Sequence, residues 1–314
     1  MTAPRWRSVL AGAVALLVLT EIGVRQAGLV DFPTYIHSSE FGYVPKSDQS
    51  GAFMGTNRWV FNDRSLGTER PWRPSERFDI LLIGNSIIMG GNPYDQKDKV
   101  ASGLQARLGD RCPVWPIAAG GWSTVNEVRF LQANLDIVDG ADFFVWEIMA
   151  GQMAGVAPWT KDTTHPLERP VWATGYLLKK ALTERLGLDL GGPPPAPPRA
   201  NQTAENFRSF DQTVARLARS ARNRPTGVIF LYPDRQQLAL ARAGKEWMDD
   251  REQVAQIARA HGAMLIDIAA HRQWTEAQYK DGVHPTIEGN RVLASILADA
   301  VTQAGGRLAC LPTG

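Results

Sequence analysis

Phe78-Asp79-Ile80-Leu81-Leu82-Ile83-Gly84-Asn85-Ser86 runs through four consecutive large apolar residues into a glycine and two polar ones. A short apolar run without alternation reads as a parallel strand covered on both faces. Runs of the same kind recur at residues 114–118, 143–148, 228–232 and 264–268, with helical stretches between them at 99–108, 124–135, 205–222 and 246–261. A last helix is read over about residues 286–302. Strands alternating with helices predict right-handed crossovers and an α/β fold. The form expected is a flavodoxin-like three-layer sandwich around a five-stranded parallel sheet. In such sheets sites form beyond the carboxyl ends of the strands, where Ser86 falls.

A second segment, Asp281-Gly282-Val283-His284-Pro285, lies nearly two hundred residues later and just ahead of the last helix. Pro285 suits the first position of that helix, which would begin near Thr286. Asp281 and His284 are three apart, so both side chains can point the same way. Asp281 can then accept from one imidazole nitrogen while the other faces Ser86. A serine hydroxyl is a poor nucleophile until a histidine takes its proton and an acid fixes the histidine's tautomer. Each segment alone also fits an ordinary strand end or helix entrance. Their joint placement, after a first strand and before a last helix, makes acyl transfer at a serine the leading reading.

Composition sets the bounds. The chain has 314 residues, 44% hydrophobic and 21% charged, with a net charge of +2. That suits a globular domain with a sizeable core, and the lack of clustered Lys and Arg argues against nucleic acid as the main partner. Residues 1–30 stand apart. Arg5 and Arg7 precede an apolar run over residues 9–19, which Thr20 and Glu21 interrupt. Glu21 and Arg25 are four apart and can pair on a helix, letting the apolar stretch continue through Val24. With no clean cleavage site after it, the segment reads as a transmembrane or signal-anchor helix rather than a cleaved peptide. The basic residues would stay cytoplasmic and the remainder would be exported.

Residues 31–77, rich in Gly, Pro, Asn and aromatics, are expected as an extended arm or short strands against the main domain of residues 78–314. Residues 159–200 break the alternation, with a helical piece at 175–186 and a proline tract at 191–198. They read as an insertion with an exposed semi-rigid connector. The two cysteines, Cys112 and Cys310, allow one bridge in an exported protein.

These residues resemble the SGNH/GDSL hydrolase superfamily. The nucleophile block near the start and the Asp-x-x-His block near the end carry the likeness, over about residues 78–302. Phe61-Asn62-Asp63-Arg64-Ser65-Leu66-Gly67 and the apolar N-terminus also resemble an exported, membrane-anchored bacterial branch related to polysaccharide O-acetyltransferases and acetylesterases. The resemblance implies Ser86 as nucleophile, His284 as base and Asp281 as its partner, with no cofactor. Asn85 stands where the superfamily more often has Asp, a position outside the triad.

An oxyanion hole would use the backbone N–H of Ser86 and that of Gly121, just ahead of a helix whose Thr124 and Glu127 have capping-box spacing. The side-chain Asn expected after the third strand is missing. Gly151 takes its place, and Gln152 could supply an amide from one residue away. Glu147 reads as a structural partner at the strand end. Trp122 is a candidate platform for a sugar ring, with core packing the competing reading. His37, His165, His261 and His271 are scattered without metal-ligand spacing, so no metal is expected.

The implied activity is hydrolysis of acyl, above all acetyl, esters on a cell-envelope or extracellular glycan. O-acetyl transfer in exopolysaccharide modification and a non-catalytic glycan-binding scaffold are the alternatives. The protein would sit in the inner membrane through a single helix, its domain periplasmic or outside, or else be exported. Its partners would be an acylated carbohydrate or other ester, the membrane, and polysaccharide-assembly proteins.

Overall fold

The computed structural model describes residues 5–73, 78–186, 202–220 and 227–306. The proline tract and Cys310 lie outside these residues; Cys112 is buried and disulfide-bonded. The chain opens with helix α1 (Arg5–Gln26), then strands β1 (Tyr35–Ser38), β2 (Gly42–Pro45), β3 (Gln49–Phe53) and β4 (Asn57–Phe61). The main domain follows as β5 (Ile80–Gly84), α2 (Ser86–Met89), α3 (Val100–Leu108), β6 (Val114–Ala118), α4 (Thr124–Ala133), α5 (Leu135–Asp139) and β7 (Phe143–Ile148). It continues through α6 (Ala173–Leu186), α7 (Gln202–Ser220), β8 (Gly227–Leu231), α8 (Arg235–Arg242), α9 (Arg251–Ala260), β9 (Met264–Asp267) and α10 (Ile287–Val301).

The five expected strands form one parallel sheet in the order β6-β5-β7-β8-β9, the flavodoxin-like order. Ile80, Leu81, Leu82 and Ile83 are fully buried, as a strand covered by helices on both faces requires. The strand order reverses around β5, whose neighbours β6 and β7 are reached by crossovers in opposite directions. The crevice at its carboxyl end is therefore the switch point of the sheet.

The arm is two antiparallel hairpins, β1-β2 and β3-β4. Tyr35, Tyr43, Trp59, Phe61 and Leu66 join the main core. The arm also covers the outer edge of the sheet: Gly67 N–H donates to Pro116 O at 3.0 Å, and Arg70 Nη2 to Val114 O at 3.0 Å. An edge strand left bare would be a template for pairing with other chains.

Several helix boundaries differ from the sequence reading. The stretch 124–135 breaks at Asn134 into α4 and α5. The stretch 246–261 becomes helical only at Arg251, because Trp247 and Met248 turn into the core before it. Helix α8 was not foreseen; Asp234 and Gln237 form its capping box. Pro285 is not the first residue of α10. Thr286 is its N-cap, accepting from Gly289 N–H at 2.9 Å, which places the proline one residue outside.

Helix α1 is long and apolar enough to cross a membrane, and none of that stretch is buried by the protein. Its Glu21–Arg25 pair forms at 2.7 Å.

Candidate active site

Ser86 is the first residue of α2, immediately after β5. Asn85 turns the chain with a side chain that accepts from Ile87 N–H at 3.0 Å, and so serves as a helix cap. Gly84 is needed for close approach: a Cβ there would stand 2.4 Å from Glu147 Oε2. Glu147 in turn accepts from Asn85 N–H at 3.3 Å. Burial pushes the Glu147 carboxyl up to about 8, with the bonds to Asn85 opposing. It raises Glu127 well above its ordinary value too, reinforced by the charge of Glu147. A buried carboxyl with a raised pKa therefore underlies the strand end that carries Ser86, a structural position for Glu147.

Asp281 and His284 meet Ser86 across the crevice. His284 Nε2 lies 3.0 Å from Ser86 Oγ, and His284 Nδ1 lies 3.0 Å from Asp281 Oδ2. The turn that carries them is tightly held. Asp281 Oδ1 accepts from the N–H groups of Val283 and His284, both at 2.8 Å. Burial would raise the Asp281 carboxyl, but those two N–H groups and the imidazole outweigh it and hold Asp281 below its usual value. Tyr232 Oη donates to Val283 O at 2.8 Å, and Tyr94 Oη to Pro285 O. The carboxylate stays ionised and keeps the proton of the imidazole on Nδ1, which leaves Nε2 free to accept from the serine. Asp281 and His284 side chains are 50% and 39% exposed, so the crevice is open to solvent.

Gly121 lies after β6 at the same crevice. Its φ of 77° is left-handed, a conformation glycine adopts without strain. The preceding carbonyl, Gly120 O, is held from behind by two donors: Tyr43 Oη at 2.8 Å and His165 Nε2 at 2.7 Å. Gly120 O and Gly121 N–H belong to one trans peptide and point opposite ways. Fixing the carbonyl on the arm side therefore fixes the N–H on the other. Gly120 N–H donates to Met89 Sδ at 3.0 Å, tying this turn to the end of α2. Burial lowers the His165 imidazole, against the opposing bond to Gly120, so the ring is neutral with its proton on Nε2. Its Nδ1 is buried without a hydrogen-bond partner, as that tautomer allows.

The remaining candidates are placed as follows. Gln152 Oε1 accepts from Thr124 Oγ1 at 3.3 Å, which orients the amide by its oxygen. Gly151 precedes it with a left-handed φ of 75°. Trp122 is corrected: it is 2% exposed, packs on Phe130 and donates from Nε1 to Tyr43 O at 2.6 Å, so no face is open to a sugar. The expected Thr124–Glu127 capping box is also corrected. Ser123 caps α4 with Asn126, while Glu127 is buried and accepts from Trp146 Nε1 at 2.7 Å. Sequence reasoning missed Tyr43 and His165, because neither has a spacing relation to Gly120. Among the described residues no group of three or more His, Cys, Asp or Glu is placed to hold a metal ion.

Fold and site together define a doubly wound α/β protein with a Ser–His–Asp constellation at the sheet's switch point. No family model and no curated protein matches the chain. Solved structures do. A carbohydrate acetylesterase family member from Sinorhizobium meliloti is 18% identical, covering 73% of this chain and 99% of that one at a TM-score of 0.39. A member of the lipolytic protein G-D-S-L family from Veillonella parvula is 13% identical, covering 72% and 98% at 0.41. An esterase from Pseudoalteromonas is 12% identical, covering 73% and 99% at 0.43. At this distance its own side chains carry the functional reading.

Proposed function

We propose that this chain is a serine-dependent ester hydrolase of the SGNH type, acting on acyl, chiefly acetyl, esters of a cell-envelope or extracellular glycan. The observation that carries the reading is the relay from Ser86 Oγ to His284 Nε2 at 3.0 Å and from His284 Nδ1 to Asp281 Oδ2 at 3.0 Å. In the proposed reaction Ser86 attacks the ester carbonyl as His284 takes its proton. The N–H groups of Ser86 and Gly121 stabilise the oxyanion, and neither donates to a protein acceptor among the described residues. His284 then protonates the leaving alcohol, and the acyl group remains on Ser86. Water, deprotonated by His284, releases the acid and restores the serine.

The open crevice, with Asp281 half exposed, suits a bulky polar alcohol more than a long buried acyl chain. Delivery of the acyl group to a sugar hydroxyl instead of water gives the O-acetyltransferase reading, which shares every step but the last. Helix α1, with Arg5 and Arg7 at its cytoplasmic end, would anchor the chain in the inner membrane and leave the domain outside.

Hydrolysis of p-nitrophenyl acetate by the full chain tests the reading. Ser86→Ala is expected to remove at least about 1,000-fold of kcat and all labelling by a fluorophosphonate. No Ser86-dependent turnover and no fluorophosphonate labelling would leave a glycan-binding scaffold. An oligosaccharide acceptor that comes out acetylated, by mass spectrometry, would move the assignment to transfer.

A further inference from the structure

The end of α1 does not trail off into a tether. Glu21 accepts from the backbone N–H of Ala173 at 2.8 Å, and from the N–H and Oγ1 of Thr174, both at 2.9 Å. Arg25, paired with Glu21, donates to Pro170 O at 3.0 Å and to Val171 O at 2.6 Å. One carboxylate thus caps the start of α6, and one guanidinium clasps the two carbonyls just before it. A separate apolar cluster closes the joint: Val24, Val30 and Phe32 from the first segment meet Ala173, Tyr176 and Leu177 from α6.

The opposite side of this joint is apolar and open. Val171 is 96% exposed, Trp172 58% and Leu178 57%. Trp172, just ahead of α6, lays its indole over Gly175, and Gly175, Leu178 and Lys179 fall on the face of the helix turned away from Ala173 and Leu177. Trp6 and Arg25 are separated by about 28 Å of helix rise, close to the thickness of a bilayer core. Trp6, 61% exposed, then marks one interface. Arg25, bonded to the Val171 carbonyl, marks the other.

We propose that the clasped segment Val171–Trp172–Leu178 is a membrane-interface platform, seated on the lipid headgroups next to the point where α1 leaves the bilayer. It rests on the anchor reading above and adds to it that the domain is held in one orientation. An indole and two aliphatic side chains suit the boundary between headgroups and acyl chains, where Trp is enriched. Lys179, exposed beside Leu178, suits anionic headgroups. The Glu21 charge, awkward so near a bilayer, is met by Arg25 and three donors within the protein. The crevice with Ser86 is thereby carried at a set height and tilt over the membrane surface.

The test uses the full chain reconstituted in phosphatidylcholine–phosphatidylglycerol vesicles, with nitroxide labels on Trp172→Cys, Leu178→Cys, Leu16→Cys in mid-α1 and Lys245→Cys as an aqueous control. The expected result is an oxygen-to-nickel-chelate accessibility ratio at 172 and 178 at least about threefold above that at 245 and below that at 16. Adding Glu21→Ala and Arg25→Ala together should return 172 and 178 to the control value and leave 16 unchanged. Label 16 in lipid with 172 matching the control would overturn the platform and leave the anchor. Label 16 in water would overturn the anchor, and the platform with it. A label at 172 shielded from both reagents would mean a protein surface covers the patch, which also overturns the proposal.

Discussion

His165 shows how far a residue can act from its place in the sequence. It sits in the insertion, 45 positions from Gly120, and holds that carbonyl together with Tyr43 from the arm. Losing a whole oxyanion donor costs about 100- to 1,000-fold, and loosening one costs less. His165→Phe is therefore expected to lower kcat by about 10- to 100-fold with KM within about twofold. His165→Gln, whose amide can still donate to Gly120 O, should restore much of that loss. A Phe variant with unchanged kcat would detach His165 from catalysis. Ser86, His284 and Asp281 could be named from sequence because two short segments carry all three. Trp122 could not be placed, since an indole reads the same on a surface as in a core, and only packing against Phe130 distinguishes them.

Elements raise different questions, and β5, β7 and α10 answer two of them. The carboxyl of Glu147, buried under Gly84, is pushed up from its ordinary 4.5 to about 8. A raised carboxyl binds its proton more tightly folded than unfolded, so stability is greatest below the unfolded value and declines as pH rises from 4.5 to about 8. Glu147→Gln should flatten that decline and raise stability at pH 9 by about 1–3 kcal/mol, read as urea midpoints across the pH range. A wild-type midpoint constant over the window would contradict it. At the entrance to α10, Thr286→Ala removes the cap on Gly289 N–H and should cost about 1 kcal/mol. Activity should fall alongside, because the neighbouring turn holds Asp281 and His284. The strands were legible because burial on both faces demands apolar runs with no polar breaks. Helix ends were not, since Ser123, Asp234 and Thr286 cap through bonds that many similar residues could form.

The whole molecule is a doubly wound sheet with three additions: an apolar N-terminal helix, an arm and an insertion. The arm covers the β6 edge and lends Tyr43 to the Gly120 turn; the insertion lends His165 to it and α6 to the joint with α1. None of these meetings is local, so no periodicity announces them. Glu21 illustrates the difference. In the sequence it interrupts an apolar run, whereas in the fold it caps a helix 152 residues away. The sequence by itself determined the five strands, their parallel order and the three side chains that the fold joins in one hydrogen-bonded row, Ser86, His284 and Asp281. Those are written in residue type and spacing, through burial on both faces of the sheet and through a turn that binds its own histidine. Tertiary structure alone decided which glycine N–H is held in place, which tryptophan is covered and how α1 meets the domain. Each of those depends on groups brought together from distant segments, where packing and paired hydrogen bonds choose one arrangement among many the same residues would permit.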